Sequence, residues 1–174
     1  MERLPAQVTV SRSGTAQWLI SIGAGFFIFA LAAAAVFVPE IRLLHVAQGA
    51  IYAAAIWLSL RGNRFGYFIG ASAALFWAVI ALFGSPLFAM IIAEPARPDL
   101  ILQGLAWLAN IAVIVGSIIA YRRLTDRSRR DIGVFLLTFI ATNGFLVAAT
   151  AVLAPTYLSH LAGILHPHWP WTQS

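Results

Sequence analysis

The chain has 174 residues, of which 61% are hydrophobic and only 10% are charged, and its mean hydropathy is +0.86. Soluble domains carry about a quarter charged residues, so this composition excludes an ordinary soluble domain and predicts an integral membrane protein. The net charge is +5, all basic residues are arginine, and cysteine is absent. A chain without lysine or cysteine excludes a retinal Schiff base, thiolate metal sites and covalent c-type haem attachment.

Five apolar stretches are long enough to cross the hydrocarbon core as helices, which takes about 20 residues each. They are predicted at residues 18–38, 43–60, 65–83, 100–121 and 132–153. We therefore predict an all-α bundle of five transmembrane helices that forms one membrane domain over residues 1–174. The first stretch exceeds the roughly 7–15 apolar residues of a signal peptide, so we expect a retained helix. Asp99 and Asp131 stand just before the fourth and fifth spans, where a carboxylate can cap a helix.

The second and fourth spans each carry a polar stripe at helical spacing. If the two stripes face each other, they line a polar cleft that opens toward the outer side and could bind a small ligand. The candidate residues are His45, Gln48, Tyr52, Gln103, Trp107 and Asn110. His45 could also ligate haem or a metal through a ring nitrogen. We favour a hydrogen bond from His45 to Gln103 or to an outer loop over that role.

The third span is interrupted by Gly84-Ser85-Pro86, where proline removes one backbone hydrogen bond and clashes with the preceding turn. The helix either kinks there and continues to about residue 92 or stops. Gly66, Gly70, Ala74 and Ala78 lie four apart on one face, and small residues allow membrane helices to approach closely. We favour packing inside the bundle for this face over a surface for a second copy or a partner subunit.

A basic loop, YRRLTDRSRRD, joins the fourth and fifth spans. Its arginines are Arg122, Arg123, Arg127, Arg129 and Arg130. With the N-terminus in the cytoplasm, nine of the eleven arginines face inside and only Arg42 and Arg97 face outside, as the positive-inside rule expects. We therefore predict a bacterial inner-membrane protein whose C-terminus lies in the periplasm or outside the cell. The loop could also bind anionic lipid.

The fourth and fifth spans are predicted to form a hairpin around this loop. Asn110 and Asn143 are equidistant from its centre, so they should lie at the same depth on adjacent helices. We predict a direct hydrogen bond between the two amides, which would occupy Asn110 and leave less of it for a ligand.

Pro155 ends the fifth span, and the remaining residues are too few to cross the membrane again. Residues 154–174 are therefore predicted to form a tail along the outer interface, where tryptophans suit headgroup depth. Three histidines in this tail, His160, His166 and His168, could hold zinc or copper, which usually takes three or four ligands. We favour a polar tail over a metal site, since histidine-rich composition is only a compositional cue.

No aspartate, glutamate or arginine falls within a predicted span, which argues against a proton-coupled carrier. No catalytic motif is found, so no enzyme activity is predicted, and nothing indicates nucleic-acid binding. The leading hypothesis is a non-enzymatic accessory or scaffold subunit that packs against a partner or a second copy. The alternatives are a membrane protein that binds a small ligand or cofactor in the outward cleft, and a passive conduit for a small solute.

Overall fold

The computed structural model describes residues 14–83 and 87–157, and all regular structure in these ranges is helical. The helices are α1 (Thr15–Phe37), α2 (Arg42–Leu60), α3 (Arg64–Phe83), α4 (Leu87–Ala93), α5 (Pro98–Arg122) and α6 (Arg130–Leu153), with short 3₁₀ turns at Pro39–Ile41 and Pro155–Tyr157. By length and composition, the five helices other than α4 can cross a membrane. The predicted all-α architecture with five such helices is therefore confirmed.

The long helices begin and end within three residues of the predicted spans. Gly84-Ser85-Pro86 lies outside the described residues, so the predicted kink or break there remains a prediction. Helical structure resumes at Leu87. The short α4 then packs against α5, where the Ile91 side chain lies close to Gly104.

Four helices form a closed ring in which α1 contacts α2, α2 contacts α3, α3 contacts α5, and α5 returns to α1. α1 and α3 barely touch, as expected for helices on opposite sides of such a ring. The core of the ring is built from large buried side chains, with Ile20, Phe27, Tyr52 and Tyr67 among them. α6 lies outside this ring, against α3 and more lightly against α2, and only a small part of it is buried.

Glycines set the closest helix contacts of the ring. A Cβ atom on Gly23 would lie 2.7 Å from the carbonyl oxygen of Ala109, and one on Gly116 would lie 3.0 Å from that of Ala16. Because no Cβ stands in the way, α1 and α5 approach backbone to backbone, as small residues permit in membrane helices. A Cβ on Gly66 would collide with the Leu58–Ser59 backbone of α2.

The small-residue face of the third span is thus used inside the bundle, since Gly66, Gly70, Ala74 and Ala78 are all buried. In the second span, the small residue Gly49 does not pack inside the bundle. A Cβ on Gly49 would meet nothing within 4 Å, so this part of α2 faces outward.

The tight turn between α2 and α3 follows from Gly62-Asn63. Gly62 adopts φ of +69°, and its amide donates to the carbonyl of Ser59 while that of Asn63 donates to Leu58. This is the Schellman pattern that ends a helix with glycine in the left-handed region. Asn63 then starts α3, since its side-chain oxygen accepts from the amide of Phe65 at 2.9 Å.

The predicted caps at Asp99 and Asp131 are wrong. α5 begins at Pro98 and α6 at Arg130, so both aspartates lie within the first helical turn, and neither helix has a side-chain cap hydrogen bond. Proline suits the first helical position because its missing N–H would have no partner there.

Candidate functional site

A hydrogen bond crosses the interior of the four-helix ring about halfway along the helices. The Tyr52 hydroxyl of α2 donates to Oδ1 of Asn110 on α5 at 2.6 Å, and these two helices lie on opposite sides of the ring. Both side chains are buried. Phe27 of α1 lies against the Tyr52 ring, with centroids 4.5 Å apart, so three of the four helices meet at this level.

Three buried polar atoms on α2 and α3 have no hydrogen-bond partner among the described residues. Gln48 lies one turn from Tyr52 on the same face of α2, is 2% exposed, and its Oε1 accepts no hydrogen bond. On α3, the indole Nε1 of Trp77 and the hydroxyl of fully buried Ser72 also have no partner. Trp77 contacts Phe27, with ring centroids 6.0 Å apart. Buried polar groups are nearly always hydrogen-bonded, so each of these atoms has room in its hydrogen bonding for a further partner.

These three unpaired atoms offer neutral hydrogen-bonding chemistry. The Gln48 oxygen can accept, the Trp77 indole can donate, and a serine hydroxyl can do either. Every charged side chain among the described residues lies in a loop or at a helix end. The side chains that the described residues place in the interior of the ring are therefore uncharged.

Of the six residues predicted to line the cleft, Gln48, Tyr52 and Asn110 lie inside the ring. His45 is half-buried near the start of α2, and its Nδ1 has no partner among the described residues. Gln103 is exposed, and the predicted hydrogen bond between His45 and Gln103 is not present among the hydrogen bonds of the described residues. The two stripes thus meet in the middle of the bundle, and at the end that carries His45 and Gln103 the two side chains do not pair.

The sixth residue, Trp107, is half-buried on α5. The predicted hydrogen bond between Asn110 and Asn143 is wrong, because α6 packs against α3 and α2 rather than α5. Asn110 is bonded to Tyr52 instead, and the Asn143 side-chain amide donates to Phe139 of its own helix at 2.8 Å. Asn110 therefore stays in the interior site.

The histidines proposed to hold a metal, His160, His166 and His168, lie outside the described residues, so that site remains a prediction. Within residues 14–83 and 87–157, no three histidine, aspartate or glutamate side chains come together in a group that could hold a metal ion.

An ionic cluster joins the ends of α3, α5 and α6. Its centre is Asp131, 4% exposed, which accepts hydrogen bonds from Arg64 at 2.7 Å, from the Tyr121 hydroxyl at 3.2 Å and from the Ser128 amide at 3.0 Å. Arg64 also pairs with the exposed Asp126. The sequence did not predict this cluster because Arg64 and Asp131 are far apart in the chain. Arg64 was explained by the positive-inside rule and Asp131 by helix capping.

A groove of about 470 Å³ opens beside this cluster, with α3 as its floor and α5 and α6 as its sides. Two of the five arginines of the basic loop, Arg122 and Arg127, line its polar end. The other three, Arg123, Arg129 and Arg130, are exposed and lie outside the groove lining.

The opposite end of the bundle carries a small exposed ion cluster before α5. Arg97 binds Asp99 through two hydrogen bonds of 2.6 and 2.9 Å and reaches Glu94 at 3.2 Å. These bonds, above all those to Asp99, hold the pKa of the Arg97 guanidinium above its ordinary value. The cluster fixes the turn between α4 and α5 and leaves this arginine fully charged.

The described residues define a class: an all-helical, multi-pass protein with five helices apolar and long enough to cross a membrane, and with buried neutral polar side chains inside four of them. Many large apolar side chains face outward, including Leu43, Leu137 and Val152, which are 68–77% exposed, as expected of a surface covered by lipid. Comparison of the chain with protein-family models, with curated proteins and with solved structures finds no match.

Proposed function

We propose that the chain is a membrane-embedded binding protein that holds a small, neutral, partly aromatic molecule inside the ring of α1, α2, α3 and α5. The observation that carries this proposal is Gln48, whose buried Oε1 has no hydrogen-bond partner among the described residues. Leaving a buried polar group unpaired costs roughly 1–3 kcal/mol, and hydrocarbon offers no water to relieve that cost. A ligand donor at this position would supply the missing bond.

The aromatic rings connected to Tyr52, one turn from Gln48, define the ligand class. Phe27 lies against the Tyr52 ring and Trp77 contacts Phe27, so these rings would supply apolar walls, and the Trp77 indole would supply a donor in addition to the Gln48 acceptor. A molecule with one donor, one acceptor and an aromatic body fits this set. No charged side chain of the described residues reaches the interior, so a charged ligand would lack a counter-ion.

The Tyr52–Asn110 bond favours binding over the passive-conduit alternative. It spans the ring at mid-height, with Phe27 stacked against Tyr52, so a continuous pore would require this contact to open. Proteoliposomes containing the protein are expected to admit glycerol and urea no faster than empty vesicles in stopped-flow light scattering.

Gln48→Leu tests the proposal on the purified full chain. Benzamide, which carries a donor, an acceptor and an aromatic ring, is expected to raise the thermal midpoint by a few degrees at about ten times its Kd. Toluene, which has the same ring and no amide, is expected to raise it less. In Gln48→Leu the benzamide shift disappears, while the midpoint without ligand stays the same or rises because the unpaired oxygen is gone.

Gln103→Leu is the matched control, since it makes the same change at an exposed glutamine on α5. The benzamide shift should persist in this variant. A clear fall of the ligand-free midpoint in Gln48→Leu would give Gln48 a structural role and contradict the proposal, as would equal shifts with toluene and benzamide.

The accessory-subunit hypothesis is a second candidate, favoured by one observation on α2. Gly49 faces open space, and the neighbouring Ala50 and Ala53 are exposed, so a partner helix could approach this face closely. The hypothesis predicts a dimer or a co-purifying subunit by native mass spectrometry in mild detergent, and its loss in Gly49→Leu. A monomer without partners would count against it.

A further inference from the structure

We propose that the groove between α3, α5 and α6 is a binding site for one anionic phospholipid of the bilayer. Its walls are apolar for most of their length and include Phe68, Leu75, Ile114, Ile118 and Phe135. The volume of about 470 Å³ lies within the range of specific small-molecule sites. The groove exists because α6 packs on α3 and α2 and leaves the side of α5 uncovered.

The length of the groove matches one leaflet. From Ile114 to Arg122, α5 rises by about 12 Å at 1.5 Å per residue, and the groove lining runs along this stretch. Half of the hydrocarbon core is about 15 Å thick. An acyl chain in the groove would therefore run from the middle of the bilayer to the interface beside the basic loop.

Only the loop end of the groove carries positive charge that is complementary to a phosphate. Arg122 and Arg127 line this end, and neither forms an ion pair with another described residue. Asp131 also lines it, but both of its carboxylate oxygens are occupied by Arg64, Tyr121 and Ser128. The cations that remain are positioned for a lipid phosphate at headgroup depth, as basic clusters at membrane surfaces are for anionic lipids.

The test is native mass spectrometry of the full chain with phosphatidylglycerol and phosphatidylcholine of identical acyl chains. Wild type should bind one phosphatidylglycerol in preference to phosphatidylcholine. Arg122→Gln/Arg127→Gln should weaken phosphatidylglycerol binding by about fivefold per arginine removed. Arg129→Gln/Arg130→Gln removes the same charge from the same loop outside the groove lining, and it should leave binding within about twofold of wild type.

A second pair of variants tests the apolar part of the site. Ala71 lines the groove, whereas Ala53 is exposed on α2 and does not line it. Ala71→Leu should reduce phosphatidylglycerol binding because the larger side chain narrows the groove, and Ala53→Leu should not. If Ala71→Leu does not fold, the wild-type protein is tested with glycerol phosphate, which has the headgroup phosphate but no acyl chains. Glycerol phosphate should bind far more weakly than the intact lipid.

Three outcomes would overturn the proposal. The first is equal loss of binding in the two double-arginine variants, which would assign the affinity to the charge of the loop as a whole. The second is equal binding of the two phospholipids by wild type. The third is binding of glycerol phosphate as tight as that of the intact lipid.

Discussion

Asp131 is the residue that connects α3, α5 and the basic loop at the loop end of the bundle. Its carboxylate receives Arg64 from α3, Tyr121 from α5 and the Ser128 amide from the loop. A buried carboxylate is tolerated only when it is paired and hydrogen-bonded, and here all of its partners come from elements other than its own helix. Asp131 therefore holds the ends of three helices together.

Asp131→Asn and Asp126→Asn form a matched pair that tests this role. Both remove a carboxylate that pairs with Arg64, but Asp126 is 66% exposed and Asp131 is 4% exposed. Removing one partner of a buried pair is strongly destabilising, and exposed pairs contribute little. We expect Asp131→Asn to lower the thermal midpoint in detergent by roughly 5 °C or more, and Asp126→Asn to change it little. Equal effects would show that burial of Asp131 does not matter.

Among the helices, α1 and α5 form the most extensive contact of the bundle, and glycine on each side makes it possible. Gly23 sits against the α5 backbone and Gly116 against the α1 backbone. The glycines of α6, in contrast, do not contact a neighbouring helix. A Cβ on Gly133 or Gly144 would meet nothing within 4 Å, because α6 lies outside the ring and most of its surface is uncovered.

Alanine substitutions at these glycines should therefore have opposite signs. Gly23→Ala and Gly116→Ala each place a Cβ against a carbonyl oxygen of the neighbouring helix, so we expect both to lower the thermal midpoint by forcing α1 and α5 apart. Gly144→Ala adds a methyl group in open space and should be neutral or stabilising by up to about 1 kcal/mol, since alanine is the better helix former.

Thermal unfolding in one detergent, followed by circular dichroism at 222 nm, measures all three variants under the same conditions. A Gly144→Ala variant that is destabilised as much as Gly23→Ala would contradict the position of α6 outside the ring. An unchanged Gly116→Ala would contradict the close contact between α1 and α5.

For the whole molecule, the arrangement of charge predicts an orientation. Most arginines lie at the end of the bundle that carries the basic loop. Arg42, at the start of α2, and Arg97, just before α5, lie at the opposite end. The positive-inside rule then predicts that the basic loop lies in the cytoplasm. In this orientation the proposed lipid groove opens to the inner leaflet, where anionic headgroups would meet Arg122 and Arg127.

The absence of cysteine makes this orientation directly measurable. Thr125→Cys and Ala96→Cys each place one thiol at an exposed loop position, on opposite sides of the proposed membrane. In intact bacterial cells expressing the protein, a membrane-impermeant maleimide should label Ala96→Cys and should reach Thr125→Cys only after the cells are opened. The reverse pattern would invert the orientation, and labelling of both positions in intact cells would indicate dual insertion.

The sequence alone determined the class of fold and the bounds of the long helices. Apolar stretches of about 20 residues have few alternatives to a helix in lipid, because each backbone amide must find its partner within the same segment. Periodicity also placed Gln48, Tyr52 and Asn110 on inward faces, since a polar side chain that cannot face hydrocarbon must turn toward other helices.

Only the tertiary structure decided which helices are neighbours. Sequence order suggested that α5 and α6 form a packed hairpin, but Gly23 and Gly116 let α1 take the place beside α5, and α6 packs on α3 instead. Because α6 packs on α3, Asn110 bonds to Tyr52 rather than to Asn143, and Arg64 of α3 pairs with Asp131 of α6. The same arrangement leaves the groove beside α5 open. Helix formation depends on residues close in the chain, whereas helix pairing depends on contacts between distant segments, which local patterns do not encode.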